Sequence, residues 1–247
     1  MAKAPQIPFD FFAPTAASFE SFVVGDNAEV VTALYTLTDA FSPVKAPPAV
    51  AIWGASSTGK THLLAATAAA ANAHTGDSAR FLAARDAFPV DPFVSNRLVC
   101  VDNADELTAE QQAWLFTAFN HVAPMGGSVI VSGRTPPAHW PLRDDLRTRL
   151  GSGLIFELVA IPQDALPHAL AEHAARRGFQ LSNEVLTYIL SRSRRDVASL
   201  WQIVHGIDAL SLARKRAVTV PLLREYLAHN AISAERPSEN RPDSAAQ

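Results

Sequence analysis

Gly54-Ala55-Ser56-Ser57-Thr58-Gly59-Lys60-Thr61 fits the phosphate-loop pattern G-x-x-x-x-G-K-[ST] at every fixed position. The two glycines let the backbone turn tightly enough to aim N–H groups at phosphate oxygens. The helix that follows would offer its positive dipole end to the same anion. In such a loop Lys60 reaches the β- and γ-phosphates of a nucleotide, and the Thr61 hydroxyl completes the shell of a Mg²⁺ ion. The flanks have the required character. Ala49-Val50-Ala51-Ile52-Trp53 is an apolar run of strand type, and His62 to Ala73 is an Ala/Leu-rich helical run.

Outward from the loop, apolar strand candidates alternate with helical runs. Strands are expected at Ala49–Trp53, Ala79–Ala83, Leu98–Val101 and Ser128–Val131, with a shorter one at Leu154–Leu158. Helices are expected near Thr61–Ala73 and Leu107–Val122. This alternation predicts an α/β fold, a parallel sheet with helices on both faces. Upstream, Asp26–Phe41 has helical spacing through Val30, Val31, Leu34, Leu37 and Phe41 and stops at Ser42-Pro43. After Ile161 the pattern is entirely helical, over Pro162–Arg177, Ser182–Ser191, Asp196–Arg214 and Val220–Ala228. The change near residue 160 marks a domain boundary. The expected division is an extended arm over 1–15, an α/β core over 16–160, a small all-helical domain over 161–229 and a disordered polar tail over 230–247.

A phosphate loop needs an acid for its metal. Arg97-Leu98-Val99-Cys100-Val101-Asp102 is an apolar strand ending in one, so Asp102 is expected to hold Mg²⁺, directly or through water. The next residue is Asn103, where efficient hydrolysis would want a carboxylate to deprotonate the attacking water. An amide can hold a water but cannot take its proton, so weak hydrolysis at most is expected. Asp105 and Glu106 lie nearby, past the strand end, and either could compensate. The run Ser128-Val129-Ile130-Val131-Ser132-Gly133 delivers Ser132 to the end of another strand, where a γ-phosphate or its attacking water would sit. Leu146-Arg147-Thr148-Arg149-Leu150 puts two arginines on a short helix; they read either as solvated surface groups or as cations acting on a neighbour's nucleotide.

Composition narrows the classes. With 247 residues, 48% of them apolar, the chain can build one large or two modest cores. A net charge of −3 without a long basic run gives no argument for non-specific nucleic-acid binding. The single cysteine, Cys100, excludes an internal disulfide and a cysteine-based zinc cluster, and its apolar neighbours imply a buried strand thiol. No apolar run approaches ~20 residues and the first residues have no leader layout, so a cytoplasmic protein without membrane attachment is expected.

In this order the elements resemble the AAA+ class, and within it the DnaA-type replication initiators, from about Ser18 to Ala228. Ser18-Phe19-Glu20-Ser21-Phe22-Val23-Val24-Gly25-Asp26-Asn27 is similar to that family's leading segment, which packs on adenine; this implies Phe22 and Val23 as base contacts. Lys60-Thr61-His62-Leu63-Leu64 matches its phosphate-loop helix, and Ser132-Gly133-Arg134-Thr135-Pro136-Pro137 looks like its sensor-1 strand. Leu146 to Gly153 resembles its arginine-finger box, which puts the finger on Arg149 with Arg147 as the second candidate. The family's sensor-2 arginine falls on Ala198, within Arg195-Asp196-Val197-Ala198-Ser199-Leu200. That departure implies weakened γ-phosphate sensing and fits an ADP-liganded state. Arg194 or Arg195 either reaches in or lies on a solvated surface.

The initiators' helix-turn-helix and helicase-loading domains have no counterpart here, so what remains resembles the Hda-type regulatory inactivators of DnaA. Those carry a short sliding-clamp peptide before the core. Gln6-Ile7-Pro8-Phe9-Asp10-Phe11 resembles it: Ile7, Phe9 and Phe11 would fill an apolar groove while Gln6 hydrogen-bonds at its edge, the alternative being a plain disordered arm. The resemblance implies a regulator that binds ADP or ATP with Mg²⁺ and docks on the sliding clamp, the polymerase beta subunit. It would meet DNA only through the clamp and place Arg149 in trans on DnaA's ATP; a homodimer stays open. The expectation from a different class is a self-sufficient AAA+ ATPase of the helicase or clamp-loader type, against which Asn103 and Ala198 speak. A small-metabolite kinase is disfavoured by the all-helical C-terminal part.

Overall fold

A computed structural model of the chain describes residues 17–39, 45–76, 78–91, 96–192 and 197–234. In chain order the elements are α1 (Ala28–Thr38), β1 (Ala49–Trp53), α2 (Lys60–Thr75), β2 (Ala79–Ala83), β3 (Leu98–Asp102), α3 (Ala109–Val122), β4 (Ser128–Gly133), α4 (Asp144–Gly151) and β5 (Leu154–Glu157). Four helices follow: α5 (Leu166–Arg176), α6 (Asn183–Arg192), α7 (Val197–Arg214) and α8 (Val220–Ala234). The chain forms two compact units, Ala16–Ala165 and the helices from Leu166 onward.

The first unit is the expected α/β layer structure. Its five strands run parallel in the order β2-β3-β4-β1-β5. Successive strand residues point to opposite faces, and both faces are covered. Ala49, Ala51, Val99, Val101, Val129 and Val131 meet Trp114, Leu115 and Phe119 of α3 and Leu146 and Leu150 of α4. Val50, Ile52, Leu98, Cys100 and Ile130 meet Leu34 of α1 and Leu63 and Leu64 of α2. The inner strands β1, β3 and β4 are buried on both sides and so are largely apolar, which is why their runs read so clearly, whereas the edge strand β5 is mostly exposed.

Several ends differ from the sequence reading, each for a local reason. α1 begins at Ala28, not Asp26, because Gly25 turns at φ +48° and the Asn27 amide is used elsewhere: its Nδ2 donates to Val159 O at 3.0 Å and its Oδ1 accepts from Val159 N at 2.8 Å. It ends at Thr38, and Phe41 lies outside the described residues. α3 begins after Thr108, whose hydroxyl accepts from Gln111 N while Gln111 Oε1 accepts from Thr108 N, a capping box that leaves Leu107 outside. α5 begins at Leu166 and not at Pro162. A helix from Pro162 would carry Pro167 in its interior, where the ring breaks a hydrogen bond; the actual start puts Pro167 in the first turn, where none is lost. α8 runs on to Ala234, past Ala228 and into the expected tail, since nothing in Asn230-Ala231-Ile232-Ser233-Ala234 breaks a helix. Residues 235–247 lie outside the described residues.

The second unit is all-helical. α5 closes on Gly178 at φ +88°, with Gly178 N donating to Ala175 O at 3.0 Å and Phe179 N to Ala174 O at 3.1 Å. Its core holds Leu170, Ala174, Val185, Ile189, Val204, Ile207, Leu222 and Leu223. Among the described residues no helix is long and apolar enough to cross a membrane.

Candidate nucleotide site

The phosphate loop leaves the end of β1, next to the end of β4: Gly54 N donates to Gly133 O at 3.3 Å. Two glycines are sterically required. A Cβ at Gly54 would lie 2.4 Å from Leu158 O. Gly59 turns at φ +99°, and its Cβ would lie 2.7 Å from the Phe22 ring. That ring therefore lies directly on the loop. Val23 beside it is buried. The turn at Gly59 starts α2, with Leu63 N donating to Gly59 O at 2.9 Å.

Lys60 is buried, and its Nζ donates to Gly54 O and Ala55 O, both at 2.7 Å. Burial lowers its pKa, Asp102 and Asp105 pull it back up, and Arg134 lowers it further. Thr61 Oγ1 donates to Asp102 Oδ2 at 2.7 Å. Ser132 Oγ donates to Asp102 Oδ1 and accepts from Asn103 N at 3.2 Å. The ends of β1, β3 and β4 thus converge on one buried carboxylate, flanked by two hydroxyls and an ammonium.

A hydroxyl and a carboxylate oxygen within hydrogen-bond distance are the donor set of a Mg²⁺ site, and both are hard oxygen ligands. The loop's glycines admit no Cβ, which keeps its backbone accessible to an anion. The residues therefore fit Mg²⁺ and a nucleotide phosphate chain: Thr61 and Asp102 would hold the metal and Gly54–Thr61 the phosphates.

Asn103 sits at φ +57°, a left-handed conformation that asparagine tolerates better than most residues. It turns the chain into a 3-10 turn, Ala104–Glu106. That turn carries Asp105 to Arg134, whose backbone N donates to Asp105 Oδ2 at 3.1 Å and whose guanidinium pairs with Glu106.

The two finger candidates lie on α4, whose Leu146 and Leu150 pack on the sheet face opposite α2. They differ in availability. Arg147 pairs with Asp144 and donates from Nη1 to Leu142 O at 3.2 Å. Arg149 has no carboxylate partner among the described residues. Its guanidinium lies 4.7 Å from the Phe116 ring centre and 5.4 Å from that of Phe119, both on α3.

The loop residues, Asp102, Ser132 and Phe22 thus come together; Arg147 and Arg149 stand apart from them. Gln6, Ile7, Phe9, Phe11, Arg194 and Arg195 lie outside the described residues, and Ala198 falls in the first turn of α7. Sequence reasoning missed three contacts. His62 Nε2 lies 3.0 Å from Ser21 Oγ and 2.9 Å from Ser18 O, tying the leading segment to α2. The Arg134 cluster and the Phe116–Phe119 cradle are the others. Only the cradle left a signal, two aromatics three apart on one helix face.

Comparison with known proteins bears on the fold that carries this site. The family model for the lid domain of Hda matches residues 164–227. Domain III of the replication initiation protein DnaA from Thermotoga maritima superposes with a TM-score of 0.63 at 17% identity, over 87% of this chain and 97% of that one. AMPPCP-bound DnaA from Aquifex aeolicus gives 0.57 at 21% identity, over 83% of this chain and 70% of that one. A RuvB from Thermotoga maritima gives 0.54 at 15% identity, over 86% and 72%. Identities this low show the shared fold.

Proposed function

From an Hda-type lid on a DnaA-like AAA+ core, the premise these matches supply, we infer that this chain regulates replication initiation by stimulating ATP hydrolysis on DnaA. It binds ADP or ATP at Gly54, Ala55, Ser56, Ser57, Thr58, Gly59, Lys60 and Thr61, with Phe22 and Val23 toward the base. It docks on the sliding clamp through Gln6, Ile7, Phe9 and Phe11. The observation that carries the reading is Arg149, a partly exposed cation with no carboxylate partner among the described residues, held over two aromatic rings.

In its own site, Lys60 exchanges the Gly54 and Ala55 carbonyls for phosphate oxygens, a swap that its lowered pKa and burial favour because the phosphates neutralise a poorly solvated ammonium. Thr61 and Asp102 supply oxygens to Mg²⁺, which spreads phosphate charge when bound. Ser132 orients Asp102. With Asn103 in place of a base, the bound nucleotide persists and holds the core in shape. On the partner, the Arg149 guanidinium stabilises charge on the transferring phosphoryl group, a role worth roughly 10³–10⁵ in rate. Clamp tethering raises the local concentration of both proteins, so each contact can be weak.

The test is reconstituted hydrolysis of DnaA-bound ATP with DNA-loaded clamp and this chain. Arg149→Ala is expected to abolish stimulation while Arg147→Ala leaves most of it; full stimulation by Arg149→Ala overturns the finger assignment. In the same mixture, a Gln6→Ala, Phe11→Ala double variant should fail to co-elute with the clamp, and equal retention removes the docking step.

A further inference from the structure

One face of α3 holds α4 at both of its ends. Gln112 grips the entry: its Oε1 accepts from Arg143 N at 2.9 Å, and its Nε2 donates to Pro141 O at 3.2 Å and to Leu107 O at 3.0 Å. Phe116 and Phe119 follow on the same face of α3, at helical spacing from Gln112. At the last turn of α4 the Arg149 guanidinium lies 4.7 Å from the Phe116 ring centre and 5.4 Å from that of Phe119. Phe119 is buried in the core, whereas Phe116 is partly exposed. Arg143 also reaches the Phe116 ring, at 5.5 Å, but its Nη2 is taken by Asp145 Oδ2 at 2.7 Å. Arg147 is taken by Asp144. Of these three arginines, Arg149 is the one without a carboxylate partner among the described residues.

We propose that Phe116 is a positioning residue for Arg149: its ring fixes the guanidinium at the surface of α4 with charge and donors uncommitted, ready for the transferring phosphoryl group on a partner's nucleotide. This rests on the reading of Arg149 as a cation acting in trans. The physical basis is the difference between two ways of holding an arginine. A carboxylate occupies N–H donors and cancels the charge, as at Arg143 and Arg147, and that pair must break before a phosphate is met. An aromatic face attracts the cation through its quadrupole and leaves the charge in place. The donors of a guanidinium lie in its own plane, so a group stacked on a ring still presents them at its edge. Without the ring, the long side chain spreads over several rotamers and must be ordered as it meets phosphate. Phe116 removes that ordering from the catalytic step.

Two measurements test this, one on the full chain alone and one with its partners. By NMR, the ring currents should displace the Arg149 Nε–H and Cδ–H signals from their random-coil positions. Phe116→Leu should release them, and Phe116→Tyr, which keeps an aromatic face, should not. In reconstituted hydrolysis of DnaA-bound ATP with DNA-loaded clamp, Phe116→Leu should lower the rate at saturating chain by roughly 3- to 30-fold and leave the half-saturating concentration within about twofold. Phe116→Tyr should keep the wild-type rate, and the Phe116→Leu loss should persist in an Arg143→Gln background. A merely structural role would not follow the aromatic face, because leucine keeps the site apolar. The positioning role is refuted, with the finger left standing, by unmoved Arg149 signals or a full rate in Phe116→Leu. Equal losses in Phe116→Leu and Phe116→Tyr, a loss seen only in half-saturation, or one that vanishes with Arg143 refute it in the same way. If Arg149→Ala keeps full stimulation, the finger reading fails and the proposal falls with it, whatever the NMR signals show.

Discussion

His173 makes the helical unit acid-labile, by an amount the structure lets one work out. It is 2% exposed on α5, and its ring centre lies 5.0 Å from that of His205 and 5.2 Å from that of Trp201, both on α7. Its Nε2 is buried without a partner. Burial first, then His205, Arg177 and Arg176, push its pKa from 6.5 down to about 4. Asp208 faces the same seam but is occupied by Arg177 Nε at 2.9 Å. The folded state therefore keeps the imidazole neutral, and the unfolded chain takes up a proton near pH 6.5. The stabilisation is present above that pH and is lost as pH falls toward 4. The difference, 6.5 − 4 = 2.5 units, corresponds to roughly 3 kcal/mol at ~1.36 kcal/mol per unit. Against a typical total of about 5–15 kcal/mol, this is enough to open the unit selectively. Amide exchange on α5 and α7, corrected for intrinsic rates, should lose protection between pH 6.5 and 4 before the sheet does. His173→Leu should flatten that pH dependence. A wild-type unit equally protected at pH 4.5 and 7, or a His173→Leu chain with the same acid slope, refutes the reasoning.

Two further outcomes follow from backbone geometry at the nucleotide site. Gly59→Ala forces a Cβ into the Phe22 ring at φ +99°; strain of about 1–3 kcal/mol should lower ADP affinity by roughly 5- to 150-fold. Gly76→Ala, at φ +73° with nothing near its Cβ, should lower the melting temperature only, and unchanged ADP affinity in Gly59→Ala would remove the loop's role. Asn103→Asp keeps a residue that accepts φ +57° and adds a proton acceptor. If the missing base is the main deficit, the chain's own ATP turnover should rise by about 10²–10⁴; an unchanged kcat puts the deficit elsewhere.

What the sequence made legible was whatever depends on near neighbours. The strands β1, β3 and β4 read clearly because they are buried on both faces and so are largely apolar. The phosphate loop read clearly because its glycines answer to contacts with Leu158 O and the Phe22 ring that no side chain could share. What it hid depends on distant partners. The start of α1 is fixed by Asn27 pairing with Val159, 132 residues away, and no local propensity reports that. Arg134 read as part of a strand end, yet its partners are the acids of a turn 28 and 29 residues earlier, reached only because β3 and β4 are neighbours in the sheet. Arg147 and Arg149 read alike on one helix; only the packing of α3 against α4 separates an arginine tied to Asp144 from one resting on Phe116.

Asn103 carries more of the argument than its place beside Asp102 suggests. Its left-handed backbone, its N–H to Ser132 and its carbonyl, which accepts from Glu106 N at 2.9 Å, together set the turn that delivers Asp105 and Glu106 to Arg134. That turn favours asparagine or aspartate over a β-branched or bulky residue, and of the two asparagine leaves no proton acceptor beside Asp102. Aspartate accepts the same turn, so the conformation alone does not dictate the amide, and Asn103→Asp separates the turn from the missing base. A site whose acid is oriented by Ser132, whose lysine is buried and where an amide stands in place of a base suits long nucleotide occupancy better than rapid turnover.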